Sequence, residues 1–306
     1  MWGGLVLLST SKKLVMENEF KSEWERLESL LPRPERVRNV VTVDYLEFFE
    51  AINRQEFSIV KSIIGNLYFG DVYILKGAFP RRFMAELRTN VQIYWNSKPS
   101  EFHKMLEGTP DFHRIIDAET GKKYSFRVCK HSAYFYNWND DPLKLFDMIY
   151  ERWRVIKQLM GLKPDEYEKN TPKDGVVDRV QIVRYPPRIG FLEPHSDPYK
   201  YQRLFFSGYM SKRGVDYKGG GFYLVGSGDK VVEVEDRIDV GDVCIGYATI
   251  LHGVAPVDKD KEPNWEGGDG RWFLSMYSNE SDEVLNRHTG HAVRVSIDGA
   301  MPEEYM

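Results

Sequence analysis

The chain has 306 residues, a formal net charge of −4 and two cysteines. The acidic balance argues against a nucleic-acid surface as the main business. Cys129 and Cys244 belong to no CxxC or finger spacing, which argues against a disulfide framework or zinc finger and for free thiols in a reducing compartment.

In chain order, Met1 to Leu8 is apolar but too short to span a bilayer, and no cleavage pattern follows it. Residues 1–15 are expected to be a frayed extension, with Met16 an alternative start. Phe20, Trp24, Leu27 and Leu30 recur at helical spacing and predict a helix over 17–31, stopped by Pro32 and Pro34. Helical periodicity resumes over 45–64. A short strand is expected at 72–75, a helix at 83–95, an aromatic-rich strand at 124–138 and a long helix at 143–160.

After Pro172 the pattern becomes short β-rich runs divided by Gly and Asp turns: 180–185, 204–209, 221–225, 231–234, 243–247, 249–254 and 271–277. Many short strands at this spacing predict a sandwich or barrel, mainly β with flanking α-helices. Residues 1–69 are expected to supply an extension and helices that pack on a core formed by 70–306. The turn-rich segment 258–270 reads as a lid-like insertion. Gly219-Gly220-Gly221 is expected to relax a strand entrance, and the acidic run 233–242 to form a solvated hairpin.

Chemistry concentrates in His195-Ser196-Asp197, His252 and Arg271. On an extended strand residues two apart point to one side, so His195 and Asp197 can share a ligand. Two imidazoles and one carboxylate are the donor set of a non-haem ferrous site with positions left open. Arg271 opens a strand on which Phe273 and Ser275 share its face.

With these residues in order, the sequence resembles the iron(II)/2-oxoglutarate-dependent dioxygenases. The matching pieces are Tyr185-Pro186, His195-x-Asp197, Gly219-Gly220-Gly221-Phe222-Tyr223-Leu224, Gly241-Asp242-Val243, His252-Gly253-Val254-x-Pro256 and Arg271. They span roughly 70–285, most strongly 180–277. The resemblance implies a double-stranded β-helix (jelly roll, cupin-like). It implies Fe(II) held by His195, Asp197 and His252, with 2-oxoglutarate and O2 as co-substrates and succinate and CO2 as products. The implied oxidation, most simply a hydroxylation, acts on a small organic molecule. Aspartate at 197 argues against a halogenase.

Arg271 would hold the far carboxylate of 2-oxoglutarate. The sequence departs from the family here, because the gap from the distal histidine is long (271 − 252 = 19) and Phe273 stands where a serine is usual. Tyr185 or Ser275 is the expected helper. Substrate contacts are expected from Arg127 and His131, which share a strand face, and from Tyr199, Tyr201 and Arg203, which follow the metal motif. His103, His113, His288 and His291 read as solvated or core histidines. The alternatives are a prolyl-type hydroxylase of protein side chains, a non-catalytic cupin-like binding protein and an oxidase of this fold that uses no 2-oxo acid. A soluble cytoplasmic monomer or homodimer is expected, with no nucleic-acid or membrane partner.

Overall fold

The computed structural model describes residues 19–293 and 297; the extension read in residues 1–15 lies outside them. Helix α1 (Glu19–Leu30) buries Phe20, Trp24 and Leu27 at the spacing the sequence predicts, and the Trp24 indole donates to the Leu159 carbonyl at 2.7 Å. Strand β1 (Val40–Asp44) then leads into α2 (Tyr45–Asn53), capped by the Asp44 carboxylate, which accepts from the Leu46 and Glu47 amides. The helical periodicity expected through residue 64 is split in two. Gln55 takes a positive φ of 53°, ending α2 before α3 (Phe57–Tyr68) begins.

Next come β2 (Val72–Lys76), α4 (Arg81–Ser97), β3 (Phe112–Ile116), the single turn α5 (Ala118–Gly121), β4 (Val128–Phe135) and α6 (Phe146–Leu159). The β-rich region supplies β5 (Val176–Tyr185), β6 (Phe191–Ser196), β7 (Leu204–Tyr209), β8 (Gly221–Val225), β9 (Val231–Glu233), β10 (Val243–Tyr247), β11 (His252–Ala255), β12 (Arg271–Glu280) and β13 (His291–Ala292). Strands β1, β3 and β6 carry no separate signal in the sequence. Each is short and abuts a helix, loop or proline turn that dominates the local pattern.

The pairing defines the architecture. Strands β5, β12, β7 and β10 lie side by side in one sheet, and β6, β11, β8 and β9 in the other. Eight strands that alternate in this way make a jelly roll, the double-stranded β-helix. Strands β2 and β1 extend the first sheet beyond β10, so residues before 70 contribute a strand as well as helices. Strand β4 pairs with β5 of one sheet and β6 of the other, joining the two. At the opposite side an isolated bridge links Val37 to Gly226, with the Val37 amide donating to the Val225 carbonyl at 2.9 Å.

Strand alternation separates the helix-facing core from the interior of the roll. On β7, Phe206 packs on Phe79 and Trp153, whereas Phe205 faces inward beside His252. Each fully buried aromatic of this kind contributes roughly 1.5–3 kcal/mol.

Segment 258–270, read as lid-like, lies away from the central cavity. Arg184 points outward from β5 and donates to the carbonyls of Asn264, Trp265 and Asp269 at 2.6–2.8 Å. Arg88 and the Trp272 indole both donate to the Gly268 carbonyl. The segment is thereby fastened to the outer, α4-facing side of the sheet and lines no part of the central cavity. Its turn-rich composition signals a loop and carries no information about which face receives it.

Candidate metal centre and central cavity

The site follows from register. Strands β6 and β11 are antiparallel neighbours, and His195 lies directly opposite His252. Asp197 follows two residues later, its amide held by the Ala248 carbonyl at 3.0 Å. The Nε2 atoms of His195 and His252 lie 3.6 and 3.7 Å from the two Asp197 oxygens. All three residues are buried, and their donor atoms fall within 4.8 Å of one another.

Both imidazoles are set in the same tautomer. His195 Nδ1 lies 3.1 Å from the Glu193 carbonyl, and His252 Nδ1 lies 2.8 Å from the Ile250 carbonyl. A carbonyl only accepts, so each Nδ1 carries the proton and each Nε2 lone pair faces the cluster, an arrangement typical of metal-bound histidines. Burial, then the neighbouring His195, lowers the His252 pKa to about 4, which keeps it neutral and able to ligate. For Asp197, burial pushes upward, but the adjoining His195 and His252 imidazoles and the Lys130 ammonium hold the carboxyl below its usual range. Phe126, Phe205 and Phe222 pack around the two rings.

The cluster lines a cavity of about 430 Å³, within the range of small-molecule sites. At one end stands Arg271, 1% exposed, opposite Tyr185 in the β12–β5 register. Its Nε donates to Glu235 Oε1 at 2.6 Å. Glu235 also accepts from the Tyr217 hydroxyl and the Phe222 amide, both at 2.6 Å. Burial alone would lower the Arg271 pKa, but the Glu235 charge, followed by Tyr209 and Tyr217, holds it above its ordinary value.

The acidic run is therefore not simply a solvated hairpin: Glu235 and Asp242 are both 2% exposed. One carboxylate orients Arg271, and the other accepts from the Gly77 and Asp239 amides. Glu235 reaches its place because Gly221 has no side chain. A Cβ there would sit 2.8 Å from Glu235 Oε1, and φ is +108°.

Tyr185 lines the cavity beside Arg271, its hydroxyl buried without a hydrogen-bond partner among the described residues. The Tyr209 hydroxyl, on the far side of Arg271, is in the same condition. Ser275 is buried with an unpartnered hydroxyl but does not reach the cavity lining, so Tyr185 is the better-placed neighbour of the two expected.

The expected substrate residues are placed elsewhere. His131 projects from the opposite face of β4 to the cavity, stacked on Trp95 at 3.7 Å and bonded to His113 at 2.9 Å. Arg127 precedes β4, which starts later than the sequence pattern suggests, and is exposed outside the cavity lining. After Asp197, Pro198 leads the chain towards α1. Arg203 pairs with Glu28 at 2.8 Å and donates to the Met160 carbonyl. Tyr199 and Tyr201 line a separate, smaller depression with it.

The residues that do line the cavity opposite Arg271 are Lys130 and Tyr134 on β4, Arg179 and Gln181 on β5, and Tyr277 and Asn279 on β12. Their alternation on three adjacent strands is visible in the sequence, but the pairing that brings those strands together is not. His288, read as solvated or core, stands on the cavity rim.

No family model matches the sequence, and no curated protein matches it. Solved structures of similar shape include a Pseudomonas putida prolyl-4-hydroxylase, 13% identical over 68% of this chain and 91% of that one, with a TM-score of 0.40. A full-length Neurospora crassa protein, solved in complex with alpha-KG and thymine, is 14% identical over 79% of this chain and 86% of its own, with a TM-score of 0.48. A Trichoplax adhaerens prolyl hydroxylase, bound to a fragment of the hypoxia inducible factor oxygen degradation domain, is 14% identical over 78% and 92%, with a TM-score of 0.42. None of these likenesses decides the chemistry, which the side chains must supply.

Proposed function

We propose that this protein is an iron(II)/2-oxoglutarate-dependent oxygenase that oxidises a small organic molecule, most simply by hydroxylation. The observation that carries the reading is one cavity holding two unlike elements. One is a buried donor cluster of two histidines and an aspartate, with both histidine tautomers tied off. The other is a buried arginine with an unpartnered tyrosine hydroxyl beside it.

The donor set fits a ferrous ion, because three protein ligands leave coordination positions open for a bidentate 2-oxo acid and O2. When bound, these would supply the oxidising equivalents, with 2-oxoglutarate converted to succinate and CO2. The residues do the rest. His195 and His252 offer Nε2, and their Nδ1 hydrogen bonds fix the ring planes. Asp197 supplies the negative charge. Arg271, with Nε committed to Glu235, has its terminal nitrogens to offer a carboxylate, the planar pairing that favours arginine over lysine. Burial pushes the Tyr185 phenol well up, so it stays protonated and would be available to donate to the same carboxylate. Phe126, Phe205 and Phe222 keep water from the centre.

Buried Cys129 and Cys244, neither in a disulfide, support a reducing compartment such as the cytoplasm. Among the described residues no helix is long and apolar enough to cross a membrane.

The test is anaerobic reconstitution with Fe(II) and 2-oxoglutarate. A visible charge-transfer band, lost in His195→Ala, and O2-dependent succinate release are expected. No band, and no difference between wild type and His195→Ala, would reject the assignment.

A further inference from the structure

The cavity contains more positive charge than its metal cluster and co-substrate end account for. Arg271 is paired with Glu235, and Arg287 on the rim is paired with Asp282. Lys130 and Arg179 also line the cavity, and neither has a carboxylate within 4 Å among the described residues. The Arg179 guanidinium lies between two rings, 5.2 Å from the Tyr134 centroid and 5.3 Å from that of Tyr277. Its Nε is buried without a hydrogen-bond partner, and its Nη2 makes only a long 3.4 Å contact to Gln181 Oε1. Asn279, 9% exposed, lines the same wall with an unpartnered Oδ1.

A semi-buried guanidinium flanked by two aromatic rings and a lysine with no carboxylate within ion-pair distance are costly to maintain unless a ligand supplies further negative charge. The position is also distinct from the Arg271 end. Arg179 is the register partner of Tyr277, and Arg271 that of Tyr185. Six residues of strand (277 − 271) correspond to about 20 Å of backbone, too far for one five-carbon dicarboxylate to occupy both ends. Lys130 lies between, close enough for its charge to be felt by both Asp197 and Arg179.

We propose that the primary substrate carries an anionic oxyacid group, carboxylate or phosphate, bound by Lys130 and Arg179, with an attached planar or apolar body against Tyr134 and Tyr277. This deepens the proposed function and rests on it for the assignment of Arg271 to the co-substrate. Gln181 and Asn279 border the anion and supply amide groups that can turn to either donate or accept. The anion would fix the orientation in which the rest of the molecule meets the metal cluster, as expected for a positioning contact remote from the reacting bond.

The test is calorimetric titration of the full chain with benzoate, phenyl phosphate and neutral benzamide, in the absence of metal and 2-oxoglutarate. These titrations stay interpretable whatever the charge-transfer test gives. At least one anion should bind tenfold or more tightly than benzamide, and the stronger of the two identifies carboxylate or phosphate. Arg179→Gln and Lys130→Gln should each remove that preference, Arg179→Lys should retain part of it, and Arg271→Gln should leave it in place. Thermal melts of each variant identify any that fail to fold, and Lys130→Gln, on a different strand, gives an independent reading. Equal binding of anion and amide, a preference that survives both Arg179→Gln and Lys130→Gln, or one lost only in Arg271→Gln would overturn the proposal.

Discussion

Arg271 and Glu235 form a fully buried ion pair, 2.6 Å from Nε to Oε1, each side chain 1% exposed. Removing one partner of such a pair leaves an uncompensated charge and typically costs about 3–5 kcal/mol. Glu235→Ala should destabilise the protein on that scale in urea unfolding. Glu235→Gln keeps one oxygen for the Arg271 and Phe222 donors and turns an amide to the Tyr217 hydroxyl, which can accept, so it should destabilise less than Glu235→Ala and fold. Its 2-oxoglutarate KM should rise, because the guanidinium is no longer held in one plane. An unchanged KM would remove Glu235 from the orientation of Arg271.

Tyr185 should separate stability from ligand affinity. Its hydroxyl is buried and unpartnered, an arrangement that carries a desolvation cost when no ligand is present. Tyr185→Phe should leave the melting temperature of the ligand-free protein unchanged or raised, while weakening 2-oxoglutarate several-fold. A lowered melting temperature with unchanged affinity would assign the hydroxyl a structural role.

Metal should act as a folding ligand. At a free concentration of a hundred times Kd, a ligand specific to the native state adds about 2.7 kcal/mol of stability. Mn(II) should raise the wild-type melting temperature, a chelator should reverse the rise, and Asp197→Ala should show neither effect. A metal-dependent rise retained in Asp197→Ala would place the metal elsewhere.

Acid should weaken the metal-free protein through His131. Burial, then the neighbouring His113 and Arg184, lowers its pKa to about 3, and burial also lowers that of His113. A histidine with a depressed folded pKa binds its proton in the unfolded chain first. Its contribution is therefore present above about pH 6.5 and is lost as pH falls towards 3, with a slope of at most about 1.4 kcal/mol per pH unit per group. Urea unfolding of metal-free protein between pH 7.5 and 5 should show this loss, and His131→Leu should show a shallower one. Parallel pH profiles would exclude His131.

The metal cluster was legible because its elements are local or strongly ordered. His195 and Asp197 lie on one extended segment, and His252 follows a turn that returns the chain to β6. The β-rich periodicity likewise pointed to a sandwich or barrel, and the family resemblance narrowed it to a jelly roll. Residues whose role depends on which strands become neighbours were not legible. Lys130 and Arg179 occupy inward positions only once β4 and β5 are paired, and the same pairing turns His131 outward. Glu235 sits in a run whose composition resembles a solvated hairpin, and only its approach to Gly221 shows that it is buried. The fate of 258–270 depended on Arg184, an outward-facing arginine whose carbonyl partners lie far along the chain.

The Val37–Gly226 bridge gives the two sheets a circumference with a seam. Around most of the ring, neighbouring strands are joined by several rungs, and β4 closes one side. At the seam no ladder forms: the Val37 amide donates to the Val225 carbonyl, the Leu251 amide to that of Glu35 and the Thr249 hydroxyl to that of Pro34, and the terminal strands β1 and β9 are short edges of 5 and 3 residues. The seam has fewer backbone hydrogen bonds than the ten-residue ladder between β5 and β12. Amide exchange should therefore be fastest there, and the roll should unzip from Val37 before the strands that carry the histidines separate.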